Sequence, residues 1–150
     1  MPGWLKALLI VIVVVFVLAV GVVAIAGFLI YRNKDAVIAK TKQIASEAKE
    51  FGEKTDNQGC VDESISRYKA SPGFTAAISN SIFLRICLDN SRATPGFCES
   101  VPRQTEFMKA AQWKIEQCRR VELSRDSNCQ NLFTPIQQFC EEGPRSRSND

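Results

Sequence analysis

An apolar run from Leu8 to Ile30 most strongly constrains how this chain can fold, because its 23 residues include no charged side chain. As a helix rising about 1.5 Å per residue, the run would extend about 35 Å, enough to cross a hydrocarbon core of about 30 Å. The amphipathic rings of Trp4 and Tyr31 flank it, as expected at the headgroup level. The sequence therefore predicts a transmembrane anchor over residues 8–31, preceded by a short tail, residues 1–7.

A cleaved signal peptide is the alternative for this segment, since Ala24-Ile25-Ala26 before Gly27 has the small-x-small pattern of a cleavage site. The apolar region of a signal peptide usually spans only about 7 to 15 residues. Here the apolar residues continue beyond that point through Phe28 to Tyr31. The longer run favours an anchor, and with it the lipid bilayer as a partner.

All six cysteines follow this run, and the chain contains no histidine. An even number of cysteines suits disulfide pairing, which persists outside the reducing cytosol. Residues 57–150 form a region of 94 residues, small enough that crosslinks of roughly 2–4 kcal/mol each would add substantially to its stability. We therefore expect structural disulfides in a domain that lies in the periplasm or outside the cell.

Sequence alone does not choose among the fifteen possible pairings of six cysteines. Two pairs flank predicted turns and could close local bridges, and the remaining pair would tie the ends of the domain together. The favoured set is Cys87–Cys98, Cys118–Cys129 and Cys60–Cys140.

The charges beside the apolar run favour the opposite orientation. Residues 32–46 carry four positive charges and one negative charge, and positively charged flanks usually stay in the cytoplasm. By this rule alone, the cysteine-containing domain would face the cytoplasm, whereas the cysteines themselves favour the extracytoplasmic side.

Residues 32–56 have the composition of a helical stalk, and Gly52 and the polar residues after it indicate a linker at its end. Val37, Ile44 and Phe51 are seven residues apart, which would suit a short coiled coil and a weak homo-oligomer. The alternative is a helix that continues from the anchor and packs against its own domain.

Residues 57–142 show apolar rows at helical spacing and no convincing period of two, so the predicted fold class is all-α, an array of about four short helices. The residues 143–150 are predicted to be a disordered tail. The predicted rows are Val61, Ile65 and Tyr68; Phe74, Ile78, Ile82 and Ile86; Phe107, Ala111, Ile115 and Cys118 on a helix over residues 103–123; and Leu132, Phe133, Ile136 and Phe139.

No residue is assigned a catalytic, cofactor-binding or metal-binding role. The lack of histidine excludes a Ser-His-Asp triad, and the closest cysteines are separated by ten residues, which is unlike a metal site. Residues 57–150 carry twelve basic and eleven acidic side chains, interspersed, so we expect no nucleic-acid partner. Cys118 beside Arg119-Arg120 is the candidate for thiol chemistry, although it also lies on an apolar row.

Trp113 lies off the apolar row of its predicted helix and is a candidate contact for a protein partner, since exposed aromatic side chains often anchor interfaces. The alternative is that this helix packs on two sides. We expect a single-pass membrane protein that displays a binding or scaffolding domain outside the cytoplasm. The alternatives are a membrane-tethered thiol-redox factor and an accessory subunit of a membrane complex with a cytoplasmic C-terminal domain.

Overall fold

The computed structural model describes the backbone of residues 3–32 and 34–143, and their side chains other than 3–9, 26, 29 and 30. The described residues form seven α-helices and no β-strand, which confirms the all-α prediction. The chain divides into two units, Met1–Lys40 and Thr41–Asp150. The helices are α1 (Gly3–Arg32), α2 (Lys34–Lys54), α3 (Asn57–Ala70), α4 (Phe74–Asn90), α5 (Phe107–Arg120), α6 (Cys129–Leu132) and α7 (Thr134–Glu142).

The first unit contains α1, whose side chains at residues 10–25 are exposed except for the half-buried Gly21. Residues 3–7, predicted as a tail, belong to this helix. Among the described residues, we find no helix with both the length and the apolar character of a membrane span. The predicted span of residues 8–31 includes side chains outside the described set, namely those of 8, 9, 26, 29 and 30.

The core of the second unit forms around α4, which packs against α3, α6 and α7. Asp56 starts α3, since its carboxylate accepts a hydrogen bond from the Gly59 N–H at 2.9 Å. Pro135 lies in the first turn of α7, where its missing N–H has no helical partner to lose. The largest fully buried apolar side chains are those of Tyr68, Phe83, Leu84, Leu88 and Leu132.

The second half of α2 belongs to this unit rather than to a separate stalk. Ala48 and Gly52 are buried, and Ile44 and Phe51 pack against the core. The Phe51 ring lies 6.0 Å from that of Phe83 on α4. The structure therefore corrects the predicted domain start at residue 57. For Ile44 and Phe51, it favours the alternative in which the helix packs against its own domain rather than forming a coiled coil.

Two predicted apolar rows lie only partly on the buried faces of their helices. On α4 the buried side chains include Ala77, Phe83 and Leu84, whereas Phe74 and Ile78 of the predicted row are exposed. On α5 the exposed residues include Phe107 and Ile115, at 80% and 55%. The inward face of α5 follows the spacing Ala110, Trp113, Lys114, Gln117, Cys118 and Val121. The apolar pattern did not predict this face, because the face includes a lysine and a glutamine among its apolar residues.

Helix α5 is also shorter than the predicted 103–123. It begins at Phe107, after a turn in which the Glu106 N–H donates to the Arg103 carbonyl at 3.0 Å. Past its C-terminal end, Glu122 adopts a φ of 61°, in the left-handed region, and the Leu123 N–H returns to the Cys118 carbonyl at 2.8 Å. The left-handed conformation of Glu122 ends the helix, because it turns the backbone so that the following N–H groups hydrogen-bond to the last helical carbonyls.

All six cysteines form disulfides, as predicted, but two of the predicted pairs are wrong. The bridges are Cys60–Cys87, Cys98–Cys140 and Cys118–Cys129, of which only the last was in the favoured set. Cys60 and Cys87 face each other because α3 and α4 pack side by side. Cys98 then pairs with Cys140 because the segment after α4 folds onto α7.

A hydrogen bond ties α3 to the turn before α6. The hydroxyl of the fully buried Tyr68 donates to the Asp126 carboxylate at 2.6 Å. This bond, with a second one from the Asn128 N–H, holds the pKa of Asp126 below its usual range. Burial, together with the bond to Asp126, raises the pKa of Tyr68.

We predict that Gly52→Ala destabilises the second unit by about 1–3 kcal/mol, the usual cost of overpacking. A Cβ atom at residue 52 would lie 2.7 Å from the Cys87 carbonyl oxygen and 3.2 Å from the Asn90 Cβ, so the backbones of α2 and α4 would have to separate. Urea unfolding followed by circular dichroism, with the disulfides intact, measures the loss. The control is Glu53→Ala at the exposed neighbouring position; an equal loss there would contradict the packing argument.

We predict that Tyr68→Phe costs about 1.5–3 kcal/mol at neutral pH, the usual contribution of a hydrogen bond to a charged group. The Asp126 carboxylate has a lowered pKa in the folded state, so its stabilisation is present above its unfolded pKa and is lost as the pH falls through the folded value. The raised pKa of Tyr68 in the folded state acts at alkaline pH. The stabilisation from its protonated hydroxyl is lost as the pH rises past the unfolded pKa of about 10.

Urea unfolding of both proteins between pH 3 and pH 11 checks this prediction. The difference in unfolding free energy should narrow at the acidic end, where Asp126 becomes protonated. A difference that stays constant across the whole range would show that the hydroxyl acts only through packing.

Candidate functional site

A cleft beside Trp113 brings together the aromatic residue singled out from the sequence and four segments of the second unit. Trp113, Gln117 and Arg120 follow one another at spacings of four and three on α5, so they share one side of the helix. The Trp113 ring is half-buried and meets the Phe133 ring edge to face, with 6.0 Å between centroids. The cleft has a volume of about 340 Å³.

The opposite wall is the segment from Thr94 to Val101, which follows α4. Pro95, Gly96 and Phe97 line the cleft, and Gly96 has a φ of 76°, a conformation that favours glycine. The Phe97 ring contacts Phe139 of α7 edge to face at 6.2 Å. This wall is therefore set by a turn and an aromatic contact rather than by a helix.

Asn57 fixes where this wall begins. Its buried side-chain amide donates to the Ser91 hydroxyl at 2.8 Å and accepts from the Thr94 N–H at 2.9 Å. Its backbone N–H donates to the Arg92 carbonyl at 3.0 Å. The sequence did not predict this role for Asn57, which follows the predicted linker; the available signal was an asparagine just after the Asp56 helix cap.

The floor of the cleft is apolar and its mouth is polar. Val61 of α3, Phe133 just before α7 and Ile136 of α7 are buried there. Around the mouth lie hydroxyl and amide side chains, those of Gln58, Thr94, Ser100 and Gln117. Such a combination of an apolar floor with a few polar groups is typical of small ligand sites.

Arg120 is the single charged residue among the described residues that line the cleft. Its Nε atom lies 3.3 Å from one oxygen of Glu116, while Arg119 contacts the other oxygen at 2.6 Å. Hydrogen bonds from these arginines, Arg119 foremost, hold the pKa of Glu116 below its usual range, so this carboxylate is ionised at neutral pH. Two arginines share one carboxylate, so the three side chains of Glu116, Arg119 and Arg120 together carry one net positive charge.

The disulfides hold every segment that lines the cleft. Cys60 anchors α3, Cys98 anchors the Thr94–Val101 segment, and Cys118–Cys129 joins α5 to α6. Cys98 and Cys140 are half-buried, whereas the other four cysteines are buried. The sequence-predicted disulfide residues and Trp113 thus belong to one region of the fold, with the cysteines supporting the walls.

A separate groove lies between α4 and the last two helices, with a volume of about 430 Å³. Ile82, Ile86 and Pro135 give it an apolar base. The half-buried Arg85 lines it as well, paired with Asp89 and Glu142. Arg85 has two carboxylate partners, so it contributes no excess positive charge to this groove. At the Trp113 cleft, by contrast, Arg120 shares a single carboxylate with Arg119.

Within the part of the chain that the structure describes, no three cysteine, aspartate or glutamate side chains gather where they could hold a metal ion. Cys118, the candidate for thiol chemistry, is buried and bonded to Cys129, so it offers no thiolate beside Arg119 in this oxidised form. The redox alternative would therefore have to start from an intact disulfide.

Comparison with protein-family models, curated proteins and solved structures finds no match for this chain.

We predict that Cys98–Cys140 is reduced before the other two bridges, because a thiolate must reach a sulfur atom to attack it. The full-length protein in detergent micelles is treated with increasing dithiothreitol, alkylated, and mapped by mass spectrometry. Alkylated Cys98 and Cys140 should appear at the lowest reductant concentration. Earlier alkylation of the buried Cys60 and Cys87 would contradict the prediction.

Proposed function

We propose that this chain is a single-pass membrane protein that displays its disulfide-bonded helical unit outside the cytoplasm as a binding or scaffolding module. The observation that carries the proposal is the bonding of all six cysteines into three bridges within one small unit. Such bridges form and persist in oxidising compartments.

The anchor is supported by the uncharged run Leu8–Ile30. Of its described side chains, the large apolar ones are between 51% and 71% exposed. Apolar surface costs about 25 cal/mol per Å² when it faces water, and a hydrocarbon environment would remove that cost. A contiguous apolar surface of this kind is typical of a membrane or protein interaction site.

The residues that follow the apolar run support a position for its end at the interface between membrane and water. The Lys34 ammonium group lies 4.9 Å from the centre of the Tyr31 ring, and such amphipathic and cationic residues favour the headgroup region. Placing these charges outside the cytoplasm opposes the positive-inside rule. We give the disulfides more weight, because three bridges would be exposed to reduction in the cytosol.

A binding role is supported by the cleft beside Trp113. It combines an aromatic wall with polar groups at its mouth and is built from segments that the disulfides hold in place. Rigid walls lower the ordering cost of binding, since little conformational entropy is lost when a ligand enters.

The orientation is tested with two single-cysteine additions to the full-length protein in intact cells. Ser66→Cys places a thiol at an exposed position on α3, and Lys6→Cys places one before the apolar run. Under non-reducing conditions, a membrane-impermeant maleimide should label the variant at residue 66 from outside. The variant at residue 6 should be labelled only after permeabilisation.

The opposite labelling pattern would favour the accessory subunit with a cytoplasmic C-terminal domain. The unaltered protein serves as the control and should take up the reagent only after reduction, since all its cysteines are bonded. Labelling of the unaltered protein without reductant would reveal a free thiol and would favour the thiol-redox factor.

A further inference from the structure

We propose that the Trp113 cleft binds a small monocarboxylate attached to an aromatic ring, such as a free aromatic acid or the C-terminal aromatic residue of a peptide. This inference rests on the proposed binding function and names the chemistry of its ligand.

The rings favour an aromatic group. Phe97, Trp113 and Phe133 come from three different segments and line the same cleft. Aromatic side chains prefer edge-to-face and offset contacts with further rings, which add about 0.5–1.5 kcal/mol to the burial of apolar area. A ring that enters between Phe97 and Trp113 would continue the edge-to-face arrangement that Trp113 already makes with Phe133.

The charge favours one carboxylate. Arg120 is the charged group among the described lining residues, and the arginine pair exceeds the charge of Glu116 by one. A carboxylate brings one negative charge and two acceptor oxygens, which suit a guanidinium group. A phosphate brings about −1.5 to −2 at neutral pH, more than this site can balance.

The volume favours a small ligand. About 340 Å³ lies at the lower end of the 300–1,000 Å³ that is usual for ligand sites. One ring with a short acidic arm fits this space, and the amide and hydroxyl groups of Gln58, Thr94 and Ser100 at the mouth can meet the polar end.

The test uses the full-length Trp4→Phe variant in detergent micelles, so that Trp113 is the only tryptophan. The probes are 3-phenylpropanoate, its uncharged amide, and the peptide acetyl-Gly-Gly-Ser-Phe with either a free or an amidated C-terminus. We expect a saturable change in Trp113 fluorescence, with each acid binding about tenfold more tightly than its amide. Tighter binding of the peptide acid than of 3-phenylpropanoate identifies a protein terminus as the ligand, and the reverse order identifies a free acid.

Three charge variants separate the role of Arg120 from a general electrostatic effect. Arg120→Gln should weaken binding of the acids about tenfold and leave the amides unchanged. Glu116→Gln should strengthen binding of the acids about threefold, since it removes the competing carboxylate. Lys109→Gln removes a charge eleven residues before Arg120 on α5. At about 16 Å along the helix, this position is farther from the Arg120 site than the screening length of about 8–10 Å, so the substitution should not change the affinity for the acids.

Equal affinities for the acids and the amides would overturn the proposal, as would equal losses in Arg120→Gln and Lys109→Gln. Absence of any saturable signal with all four probes would also overturn it. These outcomes are independent of the maleimide labelling, because binding in micelles does not depend on which side of the membrane the unit occupies.

Discussion

Three disulfides are the constraint on which the rest of the second unit depends. Chain-entropy arguments give about 3.5, 4 and 3 kcal/mol for bridges with sequence separations of 27, 42 and 11. Each of these contributions is a large fraction of the 5–15 kcal/mol by which domains are usually stable. The core itself is small, and one wall of the Trp113 cleft is a segment without a regular helix. Cys98–Cys140 is the covalent link that holds this wall against α7.

Polar interactions complete what the disulfides begin. Asn57 bonds to Ser91 and Thr94 and so sets where the chain leaves the end of α4. Tyr68 bonds to Asp126 and sets where the turn before α6 lies. Both Asn57 and Tyr68 are buried, and leaving such groups unpaired would cost about 1–3 kcal/mol each. They therefore specify the arrangement of the segments between helices, where apolar packing alone has little directional preference.

The shape of the cleft follows from these constraints. Trp113 packs against Phe133 on one side, while Phe97 packs against Phe139 on the other. Phe97, Trp113 and Phe133 line the cleft together with Val61 and Ile136 of its apolar floor, and the end of α5 brings Arg120 to the same cleft.

The sequence by itself determined the helical class, because its apolar residues recur at helical spacing, and the bonding of the cysteines, because six of them occur in a small polar region. It also indicated Trp113 as a candidate contact residue. Only the tertiary structure decided which cysteines pair and which faces are buried. Cys60 meets Cys87 because α3 packs along α4, and the Phe107–Ile115 face of α5 is exposed because Cys118 and Trp113 direct the opposite face inward. Pairing and burial depend on contacts between segments far apart in the chain, and local periodicity carries no information about them.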